Sequence, residues 1–482
     1  MKKKSVKRNY IYNLSYQILT LVTPLITTPY IARVLRPDGV GIVSYTNSVV
    51  TYFVLLAALG TTDYGQREIA YRQDDLRERT RMFWEVFLLR TLTSLLSLTI
   101  FFFFTAGSDE RVIYLLQAVN IVNVIFDITW FFQGMEEFGK TVGRNIIARI
   151  LNLVLIFSFV KTAADIPFYI GSIVFSTLLG HMLLWTSLPR YICRISPLEI
   201  RPFRNIKGIL LLFLPQIAIQ VSAVMDKTML GLITGSDFEN GYYEQADRIE
   251  KICLTLVSSL GIVMIPRISY VIAKKQKELV EYYVYRAYRF VWFLALPMTI
   301  GLILIADQFV PWFFGDGYDK TIVLIQIFSL LLCIVGTSSV TGVQYFVPAG
   351  RQKEYTISVL LGMLVNFTLN LLLIPHFLSI GAAVATVAGE VTVSVSQLCM
   401  VRKRFSVVKI LVTSKKYIIA TFIMGAVVLL VKPLAGNGPM GTVILIGAGG
   451  LVYFAVLWFM KDEMMQEIIG VFWKIWIWRS GQ

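Results

Sequence analysis

Long apolar segments alternate with short polar ones along the whole chain. Each apolar segment has roughly the 20 residues that an α-helix needs to cross the hydrocarbon core of a bilayer. The pattern predicts about fourteen spanning helices, and the short connections make neighbouring helices antiparallel. The predicted spans are residues 12–34, 40–63, 83–105, 112–133, 145–163, 167–188, 208–234, 241–266, 289–310, 321–343, 356–376, 380–401, 416–432 and 440–460. We therefore predict an all-α polytopic membrane protein.

Two faint similarities relate the first half of the chain to the second. Residues 39–67 can be aligned with residues 240–267, and Gln133 has a counterpart in Gln344. An even number of spans separates the paired segments, which indicates a parallel repeat, a plan known among transporters. Shared spacing of helices and loops is the alternative explanation. The predicted division is an N-terminal lobe at 1–195, a C-terminal lobe at 196–405, and two extra helices with an amphipathic tail at 406–482.

The distribution of positive charge predicts the orientation of the helices. The chain has 45 Lys and Arg residues and a net charge of +15, and most of these residues lie in alternate connections, starting with the N-terminal one. Lys and Arg accumulate in cytoplasmic loops. We therefore predict a multi-pass protein of the cytoplasmic membrane with both termini cytoplasmic. Topology accounts for the charge, and no nucleic-acid partner is expected. The Trp-rich segment 468–482 is predicted to lie at the membrane interface.

Signals for catalytic or metal chemistry are weak. The four cysteines and two histidines fit neither a metal site nor a disulfide framework, and no Gly-rich phosphate-binding motif occurs. His181 is predicted to lie at the membrane interface rather than in a proton relay. We expect a transporter without a resident metal or cofactor.

Polar residues recur on one face of two predicted spans, 12–34 and 208–234. Polar groups that face lipid lose their hydrogen bonds at a cost of kilocalories, so these faces must contact protein or water. Hydrogen bonding between packed helices is one explanation. We favour a water-filled cavity because the first stripe extends over nearly the whole helix, in which Pro24 and Pro29 are candidate bending points. The stripe residues are Asn13, Gln17, Thr20 and Thr27 on the first span and Gln216, Gln220 and Lys227 on the other.

The cations inside predicted spans are Arg90, Arg149, Lys227, Arg248 and Lys251. An intramembrane cation costs on the order of 3 kcal/mol on insertion scales, which makes each one a functional-site hypothesis. Lys227 is the strongest candidate for binding substrate because it is deep and lies on a polar stripe. Arg90 can face a lumen or extend to the interface. Arg248 and Lys251 follow acids by four residues, so helical ion pairs are the alternative there.

Acidic residues in or at the ends of spans are the candidates for ion coupling. A carboxylate buried in a membrane can relay a proton or coordinate Na⁺, and it can equally be the counter-ion of a nearby Arg. The sequence leaves both interpretations open. These residues are Asp63, Asp127, Asp226, Glu250 and Glu390.

A set of motifs, taken in order, resembles bacterial oligosaccharide and polysaccharide flippases of the multidrug/oligosaccharidyl-lipid/polysaccharide exporter superfamily. The motifs are Pro29–Leu35, Pro37–Gly41, Leu59–Ala70, Phe132–Glu136, Met225–Gly231, Gly241–Ala246 and Asn370–Pro375. The resemblance extends over residues 9–405. Arg36 is a departure, because the family usually has Gly before this proline.

The resemblance implies two six-helix lobes around a central cavity, two extra helices beside them, and alternating access driven by a gradient of H⁺ or Na⁺. It implies a polyprenyl-pyrophosphate-linked oligosaccharide as substrate, moved from the inner to the outer leaflet for synthesis of O-antigen, capsule or exopolysaccharide. The expected partners are membrane lipids, a polysaccharide polymerase and a chain-length regulator. Pyrophosphate binds Arg and Lys, and sugar hydroxyls bind amides. The predicted substrate-binding residues are Lys227, Arg90, Arg248, Lys251, Arg33, Asn13, Gln17, Gln216 and Gln220.

Two other functions fit parts of the pattern. The first is a multidrug or small-molecule antiporter of the same superfamily, which a lumen rich in acids and aromatic residues would favour. The second is an enzyme, a membrane-embedded polysaccharide polymerase or ligase. Such an enzyme is expected to have a large external loop, and the predicted external loops of this chain are short.

Overall fold

The computed structural model describes the backbone of residues 6–259 and 261–467, and their side chains except those at 6–18, 21, 211, 212, 214–216, 262 and 263. Every regular element in these ranges is a helix, which confirms the all-α prediction. The chain divides after Gly241 into two compact units. The predicted lobe boundary at residue 195 stays a prediction. The Trp-rich segment 468–482 lies outside the described residues.

The first unit is a bundle of apolar helices joined by short connections. Single turns of 3₁₀ helix occur at Ala163–Asp165, Leu188–Arg190, Pro197–Glu199 and Pro202–Asn205. The α-helices are α1 (Val6–Ala58), α2 (Thr61–Tyr71), α3 (Leu76–Thr105), α4 (Arg111–Phe126), α5 (Thr129–Gly134), α6 (Phe138–Phe159), α7 (Ile166–Trp185) and α8 (Ile206–Thr234), followed by the start of α9 (Asp237–Ser258).

The second unit contains the rest of α9 and the helices that follow. A π-helical stretch at Val340–Phe346 interrupts the regular hydrogen bonding after α12. The helices are α10 (Gly261–Ala273), α11 (Lys277–Phe314), α12 (Asp319–Ser339), α13 (Gln352–Val401), α14 (Val407–Val412), α15 (Lys415–Ala435) and α16 (Pro439–Phe459).

Two long helices break where the sequence predicts turns between spans. α1 leaves helical geometry at Arg36, with φ 60° and ψ 176°, and α13 does so at Leu378, with φ 54° and ψ −131°. Glycine adopts such angles with little strain, whereas residues with a side chain do not. This gives a physical reason for the glycine that the resembling family usually has where this chain has Arg36. Pro24 and Pro29 lie within helical backbone.

The lengths of the helices test the number of predicted spans. Eleven helices of the described part are long and apolar enough to cross a membrane, and two of them, Val22–Tyr71 and Gln352–Val401, are 50 residues long and include the breaks. No described helix that meets these criteria covers the predicted span 241–266. The charged residues of α9 lower its hydropathy there. The chain is thus a multi-pass membrane protein, and the count of about fourteen spans stays a prediction.

A cluster of buried aromatic residues fixes the end of the first unit at which α2, α3 and α5 meet. Phe83, Trp130, Phe131 and Phe132 have no exposed surface. The rings of Phe83 and Trp130 stack with centroids 5.7 Å apart. Large rings bury much apolar area with few rotatable bonds, so this cluster is a rigid support for the polar residues around it.

In the second unit, ion pairs attach the last two helices to α11. Lys432 Nζ of α15 lies 2.7 Å from Asp307 Oδ1 of α11. After α16, Glu463 and Glu467 pair with Arg289 and Arg286 of α11. Between these ends the contact is apolar and includes Phe293, Met424 and Tyr453.

Candidate functional site

A network of ionisable side chains lies inside the first unit. Arg90 of α3, whose side chain is 3% exposed, places Nη2 3.3 Å from Asp127 Oδ2. The other carboxylate oxygen, Oδ1, lies 3.3 Å from His181 Nδ1 of α7. Arg144 of α6 places Nη2 2.9 Å from the same ring nitrogen. Arg90 and His181 thus contact the carboxylate at the α4–α5 junction, and Arg144 contacts His181.

The break between α4 and α5 positions this carboxylate. Asp127 follows the last residue of α4 and has an extended backbone, with ψ 102°. Its Oδ1 accepts a hydrogen bond from the Thr129 backbone N–H at 3.0 Å and a second from the Thr129 hydroxyl. A bond from an aspartate to the N–H two residues on is an Asx turn, which Asp forms readily. The turn orients Asp127, and the buried cation beside it neutralises the charge.

The structure shows the contacts of this network. Arg90 pairs with Asp127 inside the bundle, and a role of Asp127 in ion coupling stays a prediction. His181 is buried and contacts Asp127, and its position at the membrane interface stays a prediction. The sequence did not predict that Arg144 belongs to this network. The available signal was that Arg144 and His181 occur in neighbouring apolar segments.

The other candidates of the first unit are spread over several surfaces. Arg33 and Gln220 are exposed, Lys227 of α8 is half-buried, and Asp226 is buried. Beside Lys227, the Thr228 hydroxyl donates to Ser48 Oγ of α1 at 2.9 Å, which fixes this turn of α8 on α1. The side chains of Asn13, Gln17 and Gln216 lie outside the described residues.

The candidate cations of the second unit form the ion pairs that their spacing predicts. Arg248 Nε lies 2.7 Å from Glu244 Oε1, and Lys251 Nζ lies 2.7 Å from Asp247 Oδ2. These contacts confirm the predicted helical pairs. Glu250, on the same helix, is buried. Glu390 of α13 is half-buried.

Polar residues of α13 bond within the second unit. Asn370 Nδ2 donates to Asn366 Oδ1 at 3.1 Å, and Gln397 Nε2 donates to Ser358 Oγ at 3.1 Å. All four side chains are buried. Hydrogen bonding between packed helical segments therefore accounts for these polar side chains.

Asp63 lies at the surface of the first unit, on α2, next to Thr62, whose hydroxyl lies 3.5 Å from Arg90 Nη1. It lines an open cavity between α2 and the α5–α6 connection, together with Arg67, Gln133 and Glu136. Gln133 and Glu136 belong to a motif that the sequence singled out, but neither was assigned a role in binding.

The fold is that of a polytopic transporter. A structure of the Lipid II flippase MurJ in an inward closed conformation superimposes with a TM-score of 0.76, at 18% identity, over 95% of this chain and 99% of that one. An inward-facing multidrug resistance MATE family transporter of the MOP superfamily superimposes with a TM-score of 0.64, at 16% identity, over 84% of this chain and 99% of that one.

Sequence comparison identifies the family. The family model described as "Polysaccharide biosynthesis protein" matches residues 6–272, and the one described as "Lipid II flippase MurJ" matches residues 144–449. The chain therefore belongs to the polysaccharide biosynthesis protein family, as the motifs predict. A candidate O-antigen transporter of Escherichia coli (strain K12) is 25% identical over 409 residues, which cover 83% of this chain and 97% of the relative. One of Shigella dysenteriae is 20% identical over 389 residues, 79% of this chain and 96% of the relative.

Proposed function

We propose that this chain is a flippase that moves a polyprenyl-pyrophosphate-linked oligosaccharide from the inner to the outer leaflet of the cytoplasmic membrane, for assembly of a surface polysaccharide. Membership in the polysaccharide biosynthesis family carries the proposal. The near full-length similarity to candidate O-antigen transporters supports it. The family is one of transporters, which disfavours the polymerase or ligase alternative. A polymerase and a chain-length regulator are the proposed partners.

The orientation that we propose follows from the loop charges. Both termini are cytoplasmic, and α2 with its arginines faces the cytoplasm. In this orientation the aromatic cluster and the cavity beside Asp63 lie at the side where the substrate is made.

A groove in the second unit suits the lipid part of such a substrate. It has a volume of about 330 Å³, lies between α11, α15 and α16, and is lined almost entirely by apolar residues, among them Pro297, Met424 and Phe454. Gly301 and Gly450 also line it, and a Cβ at either position would meet no atom within 4 Å. The space beside these glycines is therefore open to a chain of carbon atoms. We propose that it holds part of the polyprenyl chain.

Replacing Gly450 by Leu is expected to slow flipping of a long-chain carrier about tenfold. The new side chain fills the groove without a clash with the backbone, and an isoprene unit displaced from it loses roughly 1.5–3 kcal/mol of apolar contact. Gly447→Leu is the matched control, because Gly447 is on the same helix, also faces open space and does not line the groove. The measurement is the flipping rate in vesicles with long-chain and short-chain carriers. Equal rates for the two variants on the long-chain carrier would remove the groove from the transport path.

We further propose that transport is coupled to a gradient of H⁺ or Na⁺ and that Asp127 takes part in the coupling. Its position in the first unit supports this, since a carboxylate held between Arg90 and His181 changes its partners if its charge changes. The other candidate carboxylates are Asp63, Asp226, Glu250 and Glu390. The buried Glu250 is the strongest of these in the second unit.

A further inference from the structure

A polar cavity lies at the surface of the first unit, between α2 and the end of α5. It has a volume of about 450 Å³, and its polar lining comes from Asp63, Gln66 and Arg67 of α2, and from Gln133 and Glu136 at the end of α5. This volume is within the range of roughly 300–1,000 Å³ found for small-molecule sites. The cavity combines two carboxylates, two carboxamides and one guanidinium.

The walls of the cavity are fixed by close helix packing. A Cβ added at Gly65 would lie 2.5 Å from the Trp130 ring, and one at Gly134 would lie 2.6 Å from the Gln66 carbonyl oxygen. The two glycines thus allow α2 and α5 to approach more closely than side chains would permit. Gln73 Nε2 donates to the Gly134 carbonyl at 2.7 Å and ties the loop after α2 to α5. The polar residues therefore project from a preformed support.

Glu136 has a backbone conformation that favours glycine. Its φ is 55°, in the left-handed region. Its N–H donates to the Gln133 carbonyl at 2.9 Å, and the next N–H, that of Glu137, donates to the Phe132 carbonyl at 2.8 Å. This pair of bonds defines a Schellman motif, in which the left-handed position is usually Gly.

The second unit contains the same motif with the expected residue. Gly350 has φ 71°, its N–H donates to the Val347 carbonyl at 3.1 Å, and the Arg351 N–H donates to the Phe346 carbonyl at 2.8 Å. A glycine is thus compatible with this turn. In the first unit the chain has Glu136 instead, despite the backbone strain that a side chain causes there.

The two adjacent glutamates of the motif have different surroundings. Glu137 bonds to Tyr191, and burial together with this hydrogen bond raises the pKa of Tyr191 to about 12. Glu137 therefore belongs to the support. Glu136 lines the cavity. Its carboxylate is the group that a glycine at this position would remove from the lining.

The chemistry of the lining indicates the ligand. Carboxylates accept hydrogen bonds, guanidinium donates them, and carboxamides do both. Vicinal hydroxyls of a sugar can use all three. A pyrophosphate would face the two carboxylates Asp63 and Glu136, and like charges repel. Among the described residues of the lining, Arg67 is the one cation, and it also pairs with Glu68, which it shares with Arg72.

We propose that this cavity binds a sugar of the oligosaccharide before translocation, with Glu136 and Asp63 accepting hydrogen bonds from its hydroxyls. The proposal rests on the flippase function and on the cytoplasmic orientation of α2. It assigns recognition of the sugar to the surface cavity rather than to the buried Arg90 network. The cavity then contributes to the choice among oligosaccharides.

Glu136→Gly separates binding from folding, because the two effects have opposite signs. The melting temperature of the purified full-length protein is expected to rise by about 1–2 °C as backbone strain is removed. Affinity for the sugar is expected to fall about tenfold, the size of a lost hydrogen bond to a charged group. Lys275→Gly is the control for strain, since Lys275 has φ 56° in the same motif, away from the cavity. Asp74→Asn is the control for charge, since Asp74 is exposed and does not line the cavity.

The probe is the free oligosaccharide released by mild acid from the lipid-linked intermediate of cells that lack this protein, and binding is measured by titration calorimetry. Tenfold weaker binding by Glu136→Gly, with both controls within about twofold of the unchanged protein, supports the proposal. Equal binding by Glu136→Gly, or no binding by the unchanged protein, overturns it. If no lipid-linked intermediate accumulates in such cells, the flippase function itself fails, which is a distinct outcome.

Discussion

Asp127→Asn is expected to destabilise the protein by roughly 3–5 kcal/mol, because it leaves the buried Arg90 without a counter-ion. The change keeps the shape of the side chain, and the amide oxygen can still accept the hydrogen bond from the Thr129 N–H. Only the charge is removed. The guanidinium, 3% exposed, cannot lose its proton to adapt. The measurement is thermal or denaturant unfolding of the purified protein in lipid nanodiscs.

The converse variant, Arg90→Met, is expected to be less harmful. Asp127 keeps its two hydrogen bonds from Thr129 and its contact with His181 at 3.3 Å, so the carboxylate is not left without partners. The double variant is the control, because removal of both charges leaves neither ion buried alone, and its stability is expected to lie within about 1–2 kcal/mol of the unchanged protein. A single Asp127→Asn variant as stable as the unchanged protein would contradict the ion network.

The same variants test the proposed coupling. A stable double variant without the Asp127 carboxylate is expected to flip substrate at a rate that no longer depends on the H⁺ or Na⁺ gradient. Rates are compared in vesicles with and without each gradient. An unchanged gradient dependence would exclude Asp127 as the coupling carboxylate and direct attention to Glu250.

Lys227→Ala is expected to abolish transport, whereas Lys227→Arg should retain most of it. The proposed pyrophosphate needs a cation at the membrane-embedded part of its path, and Arg supplies the same charge with a geometry suited to phosphate. Lys227 is half-buried on a turn of α8 that Thr228 fixes against α1. Lys207→Ala is the comparison, because Lys207 lies on the same helix, is exposed and is not a candidate for substrate binding. Full activity of Lys227→Ala would remove this residue from the binding site.

The features that the sequence predicts well are those set by local periodicity. The breaks at Arg36 and Leu378 lie between predicted spans. The pair of Arg248 with Glu244 follows from the helical repeat alone. Apolar length sets the spans of most helices, whereas the charges of α9, which pair along that helix, lower its hydropathy.

The features that the sequence misses depend on contacts between helices. Nothing in the apolar segment around His181 indicates that its ring meets Asp127, because the contact requires α7 to pack beside the break after α4. Glu136 could not be predicted for a different reason. A left-handed position is usually signalled by a glycine, and this one has a glutamate, so the strain is visible only in the structure. His181 is an ionisable ring buried among apolar segments, and Glu136 is a side chain where glycine is usual. Both lie at candidate sites.

We propose that this chain moves a lipid-linked oligosaccharide across a membrane. The most direct test reconstitutes the purified protein in vesicles that carry the labelled polyprenyl-pyrophosphate oligosaccharide in one leaflet, and follows its exposure to a membrane-impermeant oxidant of sugars. For a flippase, the label is expected to become accessible in the opposite leaflet with the unchanged protein and to stay inaccessible with Lys227→Ala. Label that remains in its original leaflet while the same vesicles transport cationic drugs would contradict the account and establish the antiporter alternative.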